Sequence, residues 1–227
     1  MIHALEALRD RRRVFRDRRH AGEVLAGMLE GCVPAGARVL AVPAGGVPVA
    51  AAVAGRLGLP LDVAVVSKIT PAWHSEVGYG AVAFDGRVEV DEALRRRLGV
   101  EEAEVAADVE RTVVKVRRRV DLLRAGRGPV ASPGDAAILV DDGLASGTTM
   151  ALTVLAVRAA GASPVIVAVP TGSAAAVERM AALADEVHCA NVRAGRSFAV
   201  ADAYERWSDV SEEEVRAILE RGRQPAG

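Results

Sequence analysis

The chain has 227 residues, 51% of them hydrophobic and 26% charged, which is enough apolar chain for one sizeable core. Aromatics make up only 3%, so the core must come mostly from Ala, Val and Leu, a composition that suits helices packed on a Val-rich sheet. A formal net charge of −1 gives no global field for nucleic acid or an anionic membrane, and no apolar run reaches the roughly 18 residues that span a bilayer.

The first segment, MIHALEALRDRRR, holds no apolar stretch of signal-peptide length, so a cytoplasmic protein is expected. Arg9, Arg11, Arg12, Arg13, Arg16, Arg18 and Arg19 follow in close order. They read first as a solvated helix face, and secondly as a contact for phosphate or RNA. Residues 20–31 have helical apolar spacing and stop at Gly31. Residues 37–42 form a continuous apolar run, read as a buried strand, which Pro43-Ala44-Gly45-Gly46 breaks. A helix is expected over 47–57, with Pro48 tolerated in its first turn, and a second buried strand over 61–67. Strand, loop, helix and strand in this order predict a parallel pair with a right-handed crossover.

Residues 68–80 are irregular, and Asp85-Gly86 between two short β-prone runs predicts a hairpin. Helix is expected over 91–124, in two pieces broken near Gly99, with acids early and bases late in the second piece as the helix dipole favours. Strands over 136–140, 164–170 and 186–190 and helices over 148–160, 173–183 and 211–221 complete the pattern. Cys32 and Cys189 fit no metal spacing and read as small apolar residues of a reduced compartment. The fold class expected is α/β: a doubly wound, mainly parallel five-stranded sheet flanked by helices, with its site at the carboxyl ends of the strands.

The unusual residues lie in the loops that leave those ends. In ILVDDGLASGTT, residues 138–149, an apolar strand delivers Asp141 and Asp142 to the sheet edge. Gly143 and Gly147 permit close backbone approach. Ala145, Ser146, Gly147, Thr148 and Thr149 bring backbone N–H groups and hydroxyls to a helix start, which is an anion site suited to a phosphate monoester. A ligand with a phosphate and a neighbouring diol, such as ribose 5-phosphate, satisfies the cradle and the acids together. No Lys precedes Ser or Thr as in a P-loop, and no G-x-G-x-x-G follows a strand.

Residues 138–149 resemble the 5-phosphoribosyl-1-pyrophosphate (PRPP) motif of type I phosphoribosyltransferases. The resemblance extends to a bacterial and archaeal subgroup of unassigned substrate. Phe15–Gly22 is similar to its F-x-D-R-x-x-A-G, Pro43–Ala50 to its P-R-G-G-V-P-V-A, and Val66-Ser67-Lys68 with Gly80-Ala81-Val82 to its V-R-K and G-A-V. The resemblance implies Mg²⁺-dependent transfer of ribose 5-phosphate from PRPP to a nitrogenous acceptor, with release of pyrophosphate, in nucleotide metabolism. On it, Asp141 and Asp142 are the catalytic residues, holding the ribose hydroxyls and, indirectly, the metal. Gly143 and Ala145–Thr149 hold the 5-phosphate, and Ala44, Gly45, Gly46 and Lys68 hold pyrophosphate. The chain is then one domain over 1–227, with a flexible loop and hairpin over 68–90 and a hood plus C-terminal helix over 187–227. Phe198 and Tyr204, with Trp207, would line the acceptor pocket, though each also reads as ordinary packing. Trp73 and Tyr79 carry the same two readings.

This sequence has Ala44 and Ser67 where the subgroup has arginine, which implies pyrophosphate binding weaker by a few kcal/mol in total. The two rival readings are a non-catalytic PRPP- or nucleotide-binding regulatory protein, with the N-terminal arginines on nucleic acid, and a hydrolase of phosphoribosyl compounds. By analogy with the fold, a homodimer is expected.

Overall fold

The computed structural model describes residues 1–74, 77–195 and 197–222. Of the expected loop over 68–90, Ser75 and Glu76 lie outside the described residues. So do Arg196 and residues 223–227 of the expected C-terminal cover.

A central sheet carries six strands, all parallel: β1 (Ile2–His3), β2 (Arg38–Ala41), β3 (Leu61–Val63), β7 (Ala137–Val140), β8 (Val165–Ser173) and β9 (Glu186–Arg193), in the order β1-β9-β8-β7-β2-β3. A smaller antiparallel sheet holds β4 (Val66–Ile69), β5 (Gly80–Ala83) and β6 (Val88–Val90). The helices are α1 (Arg18–Leu29), α2 (Gly46–Leu57), α3 (Glu92–Arg97), α4 (Glu102–Arg124), α5 (Thr148–Ala159), α6 (Ala174–Ala181) and α7 (Glu212–Arg221).

Two expectations are corrected. The central sheet has six strands, not five, because Ile2–His3 pairs with Val187 and His188 on β9. Two residues are too few to show a period. The apolar run 61–67 is two strands, not one: β3 stays in the central sheet, and after Ala64 and Val65 the chain enters the smaller one. Nothing in LDVAVVS punctuates that change, since every apolar residue there is buried whichever sheet it joins.

Strand alternation divides the core into two layers. Ile138 and Val140 join the layer under α1, α2 and α4, whereas Ala137 and Leu139 join the layer under α5 and α6. At the crossing of α1 and α2, a Cβ on Gly22 would overlap the Val49 carbonyl oxygen and lie 2.7 Å from Ala52 Cβ. Glycine there lets the two backbones touch.

Helix starts follow the caps legible in the sequence. Asp17 accepts the His20 amide at the start of α1, Ser173 the Ala176 amide at α6, and Ser211 the Glu214 amide at α7. Glu101 and Glu104 make a reciprocal capping box at α4. α7 packs on α2 and α4, and Arg118 binds the Glu212 carboxylate at 2.7 and 2.8 Å. β9 runs in the central sheet as far as Arg193, so the segment that covers the strand ends lies beyond it.

Candidate functional site

β2 lies between β3 and β7, so the chain leaves β2 towards one side and returns on the other. The loops after β2 and β7 therefore face each other across a crevice at the carboxyl edge, the usual ligand position in an open α/β sheet.

Asp141 and Asp142 follow β7 directly, and the Asp142 amide donates to Asp141 Oδ1 at 2.8 Å. The opposite loop comes very close. A Cβ on Gly45 would fall inside the Asp142 carboxylate, and one on Gly46 would lie 2.7 Å from the Val140 carbonyl oxygen and 2.8 Å from Asp141 Cα. Only glycines allow this approach, which ties the pair at 45–46 to the acids by contact. Ala44 precedes them, half-buried, and Gly46 opens α2.

The loop after the acids is pinned at both ends. Leu144 bridges Gly172: its amide donates to the Thr171 carbonyl, and its carbonyl accepts from Ser173, both at 2.9 Å. Gly147, at φ 76°, turns the chain into α5, and Ser146 Oγ accepts the Thr148 amide at 3.3 Å. Between these anchors, the N–H groups of Ala145, Ser146 and Gly147 have no acceptor among the described residues. Ala145 and Ser146 are exposed. Three open donors in sequence beside a helix N-terminus are a ready anion cradle.

Burial first, and the Asp142 charge second, push Asp141 well above the usual carboxylate range; Lys68 and Arg18 oppose this from further off. Asp142 is also raised by burial, with Arg18 acting against it. Two adjacent carboxylates at the edge of an apolar sheet thus hold a proton, or attract a cation, more readily than exposed ones would. Lys68 itself is exposed on β4.

Arg18 is a site residue that the sequence did not single out. Six of the seven N-terminal arginines of the cluster are exposed, while Arg18 is 9% exposed. Its Nε donates to Asp142 Oδ2 at 2.9 Å and its Nη1 to the Ser208 carbonyl at 2.7 Å. The guanidinium carbon sits 3.9 Å over the Trp207 ring. Its place in F-x-D-R-x-x-A-G was the only clue: Asp17 caps α1, Gly22 seats the helix on α2, and together they aim the first turn at the crevice.

The covering segment also meets the acids. Tyr204 is 3% exposed; its hydroxyl donates to the Asp142 carbonyl at 2.7 Å, and its ring packs on Phe15 and Trp207. It therefore offers no open face, whereas Trp207 is 39% exposed. Phe198 packs with Arg193, whose guanidinium carbon is 5.3 Å from its ring. Gly143 touches the cover too, since a Cβ there would lie 2.6 Å from Val200. Of the two loop aromatics, Tyr79 is core, fully buried with its hydroxyl on Asp108 Oδ2 at 2.7 Å, and Trp73 is exposed.

A second cluster, His3, Glu186 and His188, sits at the amino end of β9, the opposite edge of the sheet from the acids. Both imidazole Nε2 atoms approach Glu186 Oε2, at 3.2 and 3.1 Å, and the rings stack 15° from parallel.

No protein-family model matches the chain. Two proteins of Mycobacterium tuberculosis, named "Putative phosphoribosyl transferase" MT0597 and Rv0571c, are each 37% identical over 209 residues, covering 92% of this chain. The chain spans about half (47%) of their length. The crystal structure of TT1426 from Thermus thermophilus is 37% identical and superposes with a TM-score of 0.73, covering 91% of this chain and 98% of that one. With the acid pair, the cradle and the parallel sheet in place, this chain belongs to the type I phosphoribosyltransferase family.

Proposed function

We propose that the protein transfers ribose 5-phosphate from PRPP to a nitrogenous acceptor with release of pyrophosphate. The observation that carries this reading is the junction of three open amides, Ala145 to Gly147, with the carboxylates of Asp141 and Asp142 at one strand end. In this reading the 5-phosphate takes the amides and the Ser146, Thr148 and Thr149 hydroxyls, and the ribose hydroxyls donate to the acids. The C1–oxygen bond to pyrophosphate breaks as the acceptor nitrogen attacks C1. Asp141 and Asp142 face the positive charge that grows on the ring, in a crevice where water screens it poorly. The backbone of Ala44, Gly45 and Gly46, with Lys68, receives the pyrophosphate. The open face of Trp207 is the wall against which a planar acceptor would stack, with Tyr204 behind it.

The donor set suits Mg²⁺. Among the described residues Asp141 has no ion-pair partner within 4 Å, and carboxylate oxygens are the hard donors this cation takes. Asp141 and Asp142 would hold it through the ribose hydroxyls, where it would neutralise charge on the leaving pyrophosphate.

Calorimetric titration with PRPP, with and without Mg²⁺, tests the reading, with Asp141→Asn/Asp142→Asn as the control. Binding that needs the acids and the cation is the expected result. A screen of nitrogenous bases for pyrophosphate release then identifies the acceptor. A folded protein that binds no PRPP overturns the assignment.

One observation favours a second reading, a PRPP- or nucleotide-binding regulator without transfer. Ala44 withholds a cation from the pyrophosphate side, and six exposed arginines near the N-terminus offer a nucleic-acid contact. Its mark would be PRPP binding without turnover on any base, plus RNA or DNA affinity that falls steeply with salt. Pyrophosphate or phosphate release without an acceptor would instead indicate a hydrolase.

A further inference from the structure

Arg18 touches the acid pair and the covering segment with the same group. Its guanidinium has three anchor points: the Asp142 carboxylate through Nε, the Ser208 carbonyl through Nη1, and the face of Trp207. Nη2 has no acceptor among the described residues. By guanidinium geometry, Nη2 shares an edge with Nε and so lies beside the Asp142 carboxylate. A group bound to Asp142 therefore meets a free N–H donor as well. A hydroxyl fits this arrangement on both counts, donating its proton to the carboxylate and accepting from Nη2.

The cover has no looser attachment at this point. The Tyr204 hydroxyl holds the Asp142 carbonyl, Tyr204 packs 5.0 Å from the Trp207 ring, and Arg206 pairs with Asp17, the residue before Arg18. Any shift of the Asp142 carboxylate must be taken up by Arg18, and Arg18 cannot move without changing the support of Trp207. A rigid, nearly desolvated guanidinium passes such a shift on; a solvated one would absorb it.

We infer that Arg18 is a positioning residue that links occupancy of the acid pair by a sugar hydroxyl to the place of Trp207, the wall of the acceptor side. The sugar part of this inference rests on the function proposed above, while the link between Asp142 and Trp207 does not.

The chain has two tryptophans, so a Trp73→Phe background makes Trp207 the single reporter. In the ligand-free protein, Arg18→Gln and Asp142→Ala should each shift Trp207 emission and raise its quenching by acrylamide, and combining them should add nothing further. Arg18→Lys keeps the charge, but one ammonium cannot span Asp142, Ser208 and the ring. It should therefore show the Trp207 signal of Arg18→Gln while retaining more affinity for the sugar phosphate. Ribose 5-phosphate should move the Trp207 emission of the Arg18 protein and not that of the lysine variant. Inorganic phosphate, which brings no sugar hydroxyl to Asp142 and Arg18, should move neither. Affinity for ribose 5-phosphate should fall roughly tenfold to a hundredfold in Arg18→Gln, the loss of one charge-assisted hydrogen bond.

The inference is overturned if Asp142→Ala leaves Trp207 emission unchanged, or if folded Arg18→Gln binds ribose 5-phosphate as tightly as the parent. If ribose 5-phosphate fails to bind the parent while the ligand-free variants still behave as one unit, the sugar-phosphate reading falls and the Arg18 link stands.

Discussion

The two glycines at 45 and 46 meet different kinds of atom, and this difference can be measured. A Cβ at Gly46 meets backbone, the Val140 carbonyl oxygen at 2.7 Å and Asp141 Cα at 2.8 Å, against an ordinary contact of 3.4 Å or more. Relief requires one loop to retreat by about 0.7 Å, and the atoms that would move belong to a central strand. Overpacking of this kind costs about 1–3 kcal/mol. In a chain of this length each kcal/mol lowers Tm by about 2–4 °C, so Gly46→Ala should melt about 2–12 °C below the wild type. The three atoms nearest a Cβ at Gly45 all belong to the Asp142 carboxylate, which can rotate away at the expense of its bond to Arg18. Gly45→Ala should therefore lose affinity for ribose 5-phosphate out of proportion to its loss of stability. In an Asp142→Ala background the same substitution should cost almost no stability, because its clash partner is gone. Thermal melts and calorimetry on the wild type and the four variants decide the matter. A Gly46→Ala variant that melts within a degree of the wild type, or a Gly45→Ala effect that persists undiminished without the Asp142 carboxylate, would refute the claim that these loops are held together by glycine contacts.

Four further outcomes are expected. Burial raises the proton affinity of Asp141 in the folded state above the unfolded value of 3.8, so wild-type stability falls as pH rises from there through the folded pKa. Asp141→Asn should gain on the wild type over that rise and lose its advantage below about pH 4; a melting-temperature difference independent of pH contradicts this. Tyr79→Phe removes a buried donor from Asp108, which is 3% exposed, and should cost about 1–3 kcal/mol in a denaturant titration. Among the described residues Ser67 Oγ is buried without a hydrogen-bond partner, so Ser67→Ala should be neutral or slightly stabilising, and a loss of more than about 1 kcal/mol would reveal a partner. Ala44→Arg should tighten pyrophosphate by about 1.5–3 kcal/mol and ribose 5-phosphate much less; equal gains by calorimetry would remove the pyrophosphate from this loop.

What the sequence made legible follows from how local each signal is. Asp17, Ser173 and Ser211 each accept an amide three residues on, a local signal, although the first helix was expected to begin at 20 and begins at Arg18. The loop at 141–149 is equally local: strand, acids, glycines and helix start are contiguous, so its geometry was visible in one line of residues. The break between β3 and β4 was not, because an apolar run looks the same whether one sheet or two bury it. Arg18 was hidden for a related reason. Seven arginines in eleven positions look alike until α1 is seated, and only then does one of them enter the crevice while the others face solvent. Tyr204 and Trp207 are 5.0 Å apart with opposite exposures, a distinction set by Phe15 and Arg18 from the far end of the chain.

The same locality bears on the two absent arginines, which are not equivalent. Successive residues of a strand point to opposite faces, so Ser67 and Lys68 cannot address the same side of β4. Ser67 lies on the face of Ile69, opposite Val82, in the layer under α4, and is buried. Lys68 pairs with Ala81, is exposed, and is the residue of the two whose charge reaches Asp141. Position 67 is thus a packing position in this chain, where a small side chain leaves an idle hydroxyl. Position 44 adjoins the glycines that press on the acids. On the proposed reading, the missing charge at the pyrophosphate side is a matter of Ala44. The cradle at Ala145 to Gly147 depends on backbone amides and is untouched by either change.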